Sequence, residues 1–179
     1  MQQHMRNQHK HAGHHGFTLI ELIIYTAVFS VVSAVFVGAL LQLNLGSAKS
    51  AMTSEVQHNV RLATETIAQT LRSATNVVAP IAGSSGNSLD AVVNGQTIQY
   101  SLAGTVLQKQ TGAAPAESIT TDAVKVTYLN FTTLQNTASS NNTVQATTTQ
   151  FALTIAYNSA EPQFAYSQSA TSTEKVGNR

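Results

Sequence analysis

The sequence contains no cysteine, and it has few charged residues and only three prolines. The lack of cysteine excludes a disulfide framework, a thiolate metal site and a cysteine nucleophile. Charged residues make up 9% of the chain, against roughly 25% in ordinary soluble domains. Since 42% of the residues are hydrophobic, this composition indicates a membrane element or a packed assembly. The Lys and Arg residues are scattered and form no basic stripe, which argues against a specific nucleic-acid partner.

The residue types that are present are distributed unevenly along the chain. Five of the six histidines lie in the first sixteen residues, together with Arg6 and Lys10. An apolar stretch follows, and from about residue 79 the chain is rich in Ser, Thr, Asn, Gln and Ala. We therefore predict a leader (1–16), an apolar helix (17–41), the amphipathic half of the same helix (42–78), an antiparallel sheet (79–158) and a polar tail that is either disordered or an edge segment (159–179).

The apolar stretch has the length of a membrane span. Residues 22–41 are twenty residues without a charge, and a helix needs about 20 residues to cross the hydrocarbon core. Arg6 and Lys10 precede the stretch, so the positive-inside rule places the leader in the cytoplasm and the rest of the chain outside the inner membrane. An ordinary secretory signal cleaved after Ala34 is an alternative. The length of the stretch and the acidic Glu21 at its start argue against that alternative.

The residues "GFTLIEL", at positions 16–22, lead directly into the apolar stretch. They resemble the class III signal of type IV pilins and type II secretion pseudopilins. The resemblance implies that prepilin peptidase cuts between Gly16 and Phe17 and that the new amino terminus of Phe17 is N-methylated. It also implies an α+β fold, in which one long N-terminal helix packs on an antiparallel sheet. The order of the later segments is similar to that of minor pilins and pseudopilins, although the C-terminal disulfide frequent in that family is absent.

Glu21 is the only charged residue between Gly16 and Lys49. A carboxylate costs about 2.5–3.5 kcal/mol at the centre of a bilayer and less near its edge, so such a group usually has a partner. Cleavage would create a positive amine on Phe17, and a neighbouring copy would present that amine to Glu21. We therefore predict that Glu21 and Phe17 pair between subunits during assembly. The simpler interpretation is that Glu21 only caps the start of the helix or reaches the membrane interface.

Apolar residues recur at spacings of three and four beyond the membrane span, which predicts an amphipathic helix. The chain has no proline before Pro80, so nothing interrupts the helix between residues 17 and about 77. Gly38 and Gly46 are its weak points, because glycine costs about 1 kcal/mol relative to alanine. We expect the stripe to pack on the sheet, with a coiled-coil seam as the alternative. Its members are Leu45, Ala48, Met52, Val56, Val60, Ala63, Ile67, Leu71 and Ala74, widened by Leu62.

Four or five antiparallel strands are expected after residue 79, because apolar and polar residues alternate there. The pair Asn94-Gly95 is the strongest short-range signal for a hairpin, and Ala103-Gly104 marks a second turn. The residues that alternate in the strand between these turns are Ile98, Tyr100 and Leu102.

Two long strands are expected late in the chain, joined by a turn at "SSNN" (139–142). The first covers residues 123–134, with Val124, Val126 and Tyr128 facing the core. Its alternation then slips, which suggests a bulge and leaves open whether Asn130 or the pair Leu129 and Phe131 continues the core face. The second strand covers residues 144–157, where the alternating core residues are Phe151, Leu153, Ile155 and Tyr157.

Other classes of function find little support in the sequence. The leader histidines in "HKHAGHH" could bind a metal, but maturation would remove them. His58 is the one histidine of the mature chain and lies on the polar face of the helix, and no catalytic triad or phosphate-binding loop is recognisable. We therefore expect no metal, no cofactor and no enzymatic activity. The acidic residues considered too dispersed for a calcium site are Asp90, Glu117, Asp122 and Glu161.

These features predict a structural subunit of a type IV pilus or pseudopilus-type filament. The expected partners are prepilin peptidase, other pilin or pseudopilin subunits, the inner-membrane assembly platform and, before assembly, membrane lipid. The expected location is the inner membrane, with the leader inside and the later segments outside, followed by a cell-surface or periplasmic filament. The alternative is a single-pass, membrane-anchored extracytoplasmic binding protein that does not polymerise.

Overall fold

A computed structural model describes residues 18–137 and 144–177 of the chain. Within these residues the fold is α+β, with one long helix followed by short and long antiparallel strands. The chain divides into two compact units, Met1–Gly46 and Ser47–Arg179, and we call the second unit the head. The elements are α1 (Leu19–Ser73), β1 (Asn76–Ala79), β2 (Ser85–Gly86), β3 (Leu89–Val93), β4 (Gln96–Ala103), β5 (Val106–Thr111), β6 (Glu117–Ser118), β7 (Val124–Thr137), β8 (Val144–Tyr157), a 3-10 turn (Pro162–Phe164) and β9 (Ser167–Lys175).

The helix is continuous through Gly38 and Gly46, so neither glycine interrupts it. Within the head, its apolar stripe is buried from Met52 onward, as the spacing of three and four predicts. Leu45, Ala48 and Leu62 were expected on that stripe but are exposed, Leu45 to 53% and Leu62 to 41%. Leu62 is exposed because Ala63, the next residue along the helix, occupies the buried position. The buried residues of α1 are Met52, Val56, Asn59, Val60, Ala63, Ile67, Ala68, Thr70 and Leu71.

The strands form two antiparallel sheets rather than the single sheet of four or five strands that the sequence suggests. Sheet A has the order β1-β3-β4-β5-β6, and sheet B has the order β2-β7-β8-β9. The additional strands are mostly short, since β2 and β6 have only two residues each. Segments this short carry no alternation of their own, and only their pairing with a neighbouring strand makes them part of a sheet.

The hairpin predicted at Asn94-Gly95 joins β3 to β4. Val93 pairs with Gln96, so the loop has two residues, and both have positive φ angles of 50° and 78°. This is the geometry of a type I′ turn, which asparagine and glycine adopt more easily than other residues. The following hairpin pairs Ala103 with Val106 across Gly104 and Thr105, and Gly104 again has a positive φ, of 64°.

The bulge expected in the first late strand is present in β7. The register with β8 shifts between Val126 and Tyr128, and the extra residue reverses the alternation that follows. Leu129 and Phe131 are therefore buried, which decides between the two alternatives that the sequence left open. The same shift corrects the prediction for Tyr128, which was expected to face the core and is 53% exposed.

The second late strand follows its predicted pattern. Phe151, Leu153 and Ile155 on β8 are fully or almost fully buried, and Tyr157 packs at the edge of the same core. Phe131 of β7 lies opposite Phe151, with ring centroids 6.2 Å apart, a separation at which aromatic rings attract one another. The turn expected at residues 139–142 lies outside the described residues.

Buried polar residues attach the helix to the loops and strands of the head. Asn59 is fully buried; its Nδ2 donates to the carbonyl oxygen of Glu55 at 2.9 Å, and its Oδ1 accepts from the backbone N–H of Thr121 at 3.0 Å. Tyr100 on β4 shares a hydrogen bond of 2.7 Å with the hydroxyl of Thr70. Since a buried polar group without a partner is costly, these contacts fix the position of this part of α1 against the loop at Thr121 and the strand β4.

The segment after residue 158 contributes a complete strand to sheet B. β9 pairs with β8 without a register shift, from the pair Thr148 and Lys175 to the pair Ala156 and Ser167. This part of the tail is therefore an edge strand, the second of the two alternatives predicted for it. Val176 is buried, and the backbone N–H of Gly177 donates to the carbonyl oxygen of Leu71 at 3.4 Å. The guanidinium of Arg72 binds Glu174 with two hydrogen bonds of 2.9 and 2.8 Å. These contacts join the last strand to the end of the helix.

Candidate assembly site in the first turn of the helix

The first described residue, Thr18, forms the start of α1. Its side-chain Oγ1 accepts a hydrogen bond of 3.3 Å from the backbone N–H of Glu21, and its carbonyl oxygen accepts one of 3.2 Å from Leu22. Threonine followed three residues later by glutamate is the sequence pattern of a capping box, and the hydrogen bond from Glu21 to Thr18 is one half of that arrangement. This local signal is present in the sequence as "TLIE", whereas the helix was predicted from the spacing of apolar residues alone. Gly16 and Phe17 lie outside the described residues.

Glu21 lies in the first turn of the helix and is partly exposed. The helix dipole favours a negative charge there by roughly 0.3–1 kcal/mol. The hydroxyl of Tyr25, one turn further along, donates to Oε1 of Glu21 at 3.4 Å, which is long for an O–H···O hydrogen bond. The described residues that hydrogen-bond to Glu21, Thr18 and Tyr25, carry no charge.

The part of α1 that follows Glu21, up to Leu45, presents large apolar side chains on all its faces. Large hydrophobic side chains from Leu19 to Leu45 are 45–77% exposed. Lipid or other helices must cover these side chains if they are to be shielded from water. The hydroxyls of Thr26 and Ser30 bond to backbone carbonyl oxygens of the same helix, at 3.0 and 2.7 Å. These bonds satisfy the two polar groups without water, as a hydrocarbon environment requires. By length and composition α1 is able to cross a membrane, a property that a signal sequence near the amino terminus shares.

The comparison with protein families concerns this same part of the chain. A family model for the prokaryotic N-terminal methylation motif matches residues 12–37. The chain carries a type IV pilin-like class III signal. The matched residues of this pilin-like signal include Gly16, Phe17 and Glu21, and they end within the apolar part of α1. No curated protein and no solved structure is significantly similar to the chain.

The pilin-type motif, the apolar helix and the antiparallel sheets agree on the type of protein. The motif and helix fit a pilin-type subunit with a single-pass membrane anchor, and the motif implies processing by prepilin peptidase and assembly of pilin subunits in general. Such a motif points to a structural protein rather than an enzyme. Among the residues that the structure describes, no three His, Asp or Glu side chains lie close enough together to hold a metal ion.

The head contains an open groove of about 870 Å³. Its walls are mainly apolar, and two carboxylates, Glu55 and Glu161, line it. Oε1 of Glu55 accepts hydrogen bonds from Asn59 at 3.0 Å and from the hydroxyl of Thr121 at 2.8 Å. The volume is in the range of small-molecule sites. The apolar residues of the walls are Ala48, Ala51, Met52, Ala123, Ala160 and Phe164.

Proposed function

We propose that the chain is a structural subunit of a type IV pilus or pseudopilus-type filament. In this proposal it is inserted in the inner membrane with residues 1–16 in the cytoplasm, and prepilin peptidase cleaves it after Gly16. Phe17 is then N-methylated, and the inner-membrane assembly platform adds the subunit to the filament through α1. The main support for the proposal is the position of Glu21: it is a single carboxylate in the first turn of a helix that has no other charged residue before Lys49, and it lies within the matched methylation motif.

The charges near the helix start support a pairing between subunits. Within one chain, Glu21 and Phe17 are four residues apart, and the helix begins at Leu19, between them. A neighbouring subunit that is displaced along the helix axis can bring its own Phe17 amine to this carboxylate. An ion pair that forms away from water is much stronger than one at the surface. The pairing would therefore set the axial position of each subunit while helix packing supplies most of the assembly energy.

Replacing Glu21 by alanine tests this role. We expect Glu21→Ala to lower the yield of sheared filaments about tenfold or more, because it leaves the Phe17 amine of the neighbouring subunit unpaired. An unpaired charge deep in hydrocarbon costs about 2.5–3.5 kcal/mol, and a factor of ten corresponds to about 1.4 kcal/mol. Tyr25→Phe is the matched control, since it removes the contact between Tyr25 and Glu21 but keeps the carboxylate. It should assemble at the yield of the unmodified chain.

Mass spectrometry of the amino-terminal peptide distinguishes the steps. A methylated peptide beginning at Phe17 in purified filaments is the expected result for the unmodified chain and for Tyr25→Phe. Glu21→Ala should still be cleaved, so that its loss of filaments reports assembly rather than processing. An intact Met1 terminus in purified filaments would refute cleavage. Normal filament yield from correctly processed Glu21→Ala would refute the pairing.

The groove in the head favours one second candidate, a membrane-anchored extracytoplasmic protein that binds a ligand and does not polymerise. Its apolar walls with a few polar groups are the usual composition of a binding site. This candidate predicts that the chain keeps its first sixteen residues and that Glu21→Ala changes nothing outside the membrane. The same mass spectrum and the same filament yields therefore separate the two candidates.

A further inference from the structure

The end strands of the two sheets differ in how much free edge they offer. β2 and β6 have two residues each, and β1 has four residues with a register shift between Val77 and Ala79. β9 is nine residues long and pairs with β8 without any shift. Short strands, bulges, prolines and charges are the usual means by which natural proteins protect the edges of sheets. Among the end strands of the described part, β9 alone is long and regular.

The hydrogen bonds next to β9 show which of its backbone groups face outward. The N–H of Tyr157 donates to the carbonyl oxygen of Tyr166 at 2.8 Å, and the N–H of Val176 donates to that of Thr147 at 2.9 Å. Because the register between them is unbroken and bonding alternates in an antiparallel ladder, the even-numbered residues of β9 bond to β8. The N–H and C=O groups of the odd-numbered residues therefore point away from the sheet. These residues are Ser167, Ser169, Thr171, Thr173 and Lys175, and their side chains are exposed.

We propose that β9 is a self-association edge, at which it pairs antiparallel with β9 of a second copy and joins the two B sheets into one. In the register centred on Thr171, every outward-facing residue meets another outward-facing residue: Thr171 meets Thr171, Ser169 meets Thr173 and Ser167 meets Lys175. All nine residues of the strand then take part. The residues from Ser167 to Thr173 carry no charge, so nothing at the centre of the pair opposes contact.

The charges at the end of β9 select this orientation of the second copy. In a parallel pairing, the exposed Lys175 would meet Lys175, and like charges directly opposite one another destabilise a sheet. In the antiparallel pairing Glu174 lies opposite Gln168, and Lys175 lies opposite Ser167. The contact is isologous, so it satisfies both edges and stops at two copies. It cannot extend a filament, and in a filament it would connect a subunit of one polymer to a subunit of another.

Single cysteines test the pairing in the full chain, purified in detergent, because the chain has no other cysteine. Directly opposed residues of this kind have Cα atoms about 5.5 Å apart, within the roughly 4.4–6.8 Å that a disulfide spans. Thr171→Cys should form a disulfide-linked dimer under mild oxidation, and Ser169→Cys mixed with Thr173→Cys should cross-link more than either variant alone. Thr97→Cys is the control, because Thr97 is exposed but lies on β4, inside sheet A. Equal cross-linking of Thr171→Cys and Thr97→Cys would overturn the proposal.

Charges placed at the centre of the pair give an independent test. Thr171→Lys alone and Thr171→Glu alone should each shift the chain from dimer to monomer in analytical ultracentrifugation, because each variant opposes two like charges. An equimolar mixture of the two variants should recover the dimer. Dimers in all three samples, or monomers in the mixture, would contradict pairing at Thr171. The measurement requires neither cleavage nor polymerisation, so its outcome is independent of the proposed filament function.

Discussion

The fold changes the chemistry of Tyr100, a tyrosine of β4. Its side chain is fully buried, and its hydroxyl bonds to the hydroxyl of Thr70 and to the carbonyl oxygen of Thr66, at 2.7 and 3.2 Å. Burial raises the pKa of Tyr100 above the ordinary value of 10.0, while the hydrogen bond with Thr70 opposes the shift. The folded chain therefore holds this proton more tightly than the unfolded chain does.

The raised pKa of Tyr100 predicts a loss of stability in alkali. Its contribution to the free energy of unfolding is complete below pH 10 and decreases as the pH rises from there towards the folded-state pKa. Tyr100→Phe should cost about 0.5–1.5 kcal/mol at neutral pH, the usual value of a hydrogen bond, and should remove part of the alkaline decrease. Urea unfolding at several pH values measures both effects. Tyr128→Phe, at an exposed tyrosine, should keep the full decrease; an identical pH dependence for Tyr100→Phe and the unmodified chain would contradict the prediction.

Residue patterns predicted apolar positions better than buried polar ones. The spacing of Val56, Val60 and Ile67 predicted their burial, because helix periodicity depends on neighbouring residues alone. Asn59 is equally buried, but its hydrogen-bond partner Thr121 lies 62 residues away in the sequence. Nothing near Asn59 indicates that partner. The capping pattern of Thr18 and Glu21, in contrast, is local and could have been predicted.

At the scale of the elements, the end of α1 and the end of β9 form a closely packed joint. Gly177 lies so close to the last turn of the helix that a Cβ atom on it would overlap the carbonyl oxygen of Arg72. Arg72 and Glu174 form an ion pair of 2.8 Å beside this contact, and the carboxylate side is only 12% exposed. The pKa of Arg72 is raised by its hydrogen bond to Glu174 and by the attraction between the two charges.

Gly177→Ala should therefore destabilise the head. A backbone carbonyl cannot move aside as a side chain can, and overpacking of this kind typically costs about 1–3 kcal/mol. Thermal unfolding, followed by far-ultraviolet circular dichroism, measures the change. Gly86→Ala is the matched control, because its added Cβ would meet only ordinary contacts, the nearest being Cβ of Pro80 at 3.8 Å. Equal melting temperatures for the two variants would show that the joint tolerates the added methyl group.

The elements themselves were predictable to different degrees for a physical reason. The hairpin at Asn94-Gly95 and the strand containing Phe151 have strong local signals, and both are present. The bulge in β7 was visible as a slip in the alternation, but only the burial of Leu129 shows in which direction the slip is resolved. β9 has no large apolar residue, so its place in sheet B follows from pairing with β8, which a single sequence does not reveal.

At the scale of the whole molecule, exposed and buried apolar residues are separated along the chain. The core of the head is built from residues between Val56 and Val176, whereas the most continuous run of exposed apolar side chains lies between Leu19 and Leu45. The core residues belong to the unit Ser47–Arg179. The head thus contains the contacts that its own folding requires.

We expect a chain that starts at Ser47 to fold and to remain in solution without detergent. It should unfold in one cooperative transition, since single domains of this size usually do. The measurements are urea unfolding followed by two optical probes, with light scattering at several concentrations. Non-coincident transitions, or precipitation without detergent, would show that the first unit also contributes to the stability of the head. The unshortened chain in detergent provides the reference transition.

The contact between Arg72 and Glu174 also sets an order of events during translation. The two residues are 102 positions apart, and Gly177 follows them against the helix end. After α1 has left the ribosome, the residues of all the later strands must be synthesised before Arg72 can bind Glu174. The apolar segment at the front can reach the translocation machinery long before that moment. Under the proposed function, the anchor enters the lipid while the domain behind it is still a growing, unfinished polypeptide.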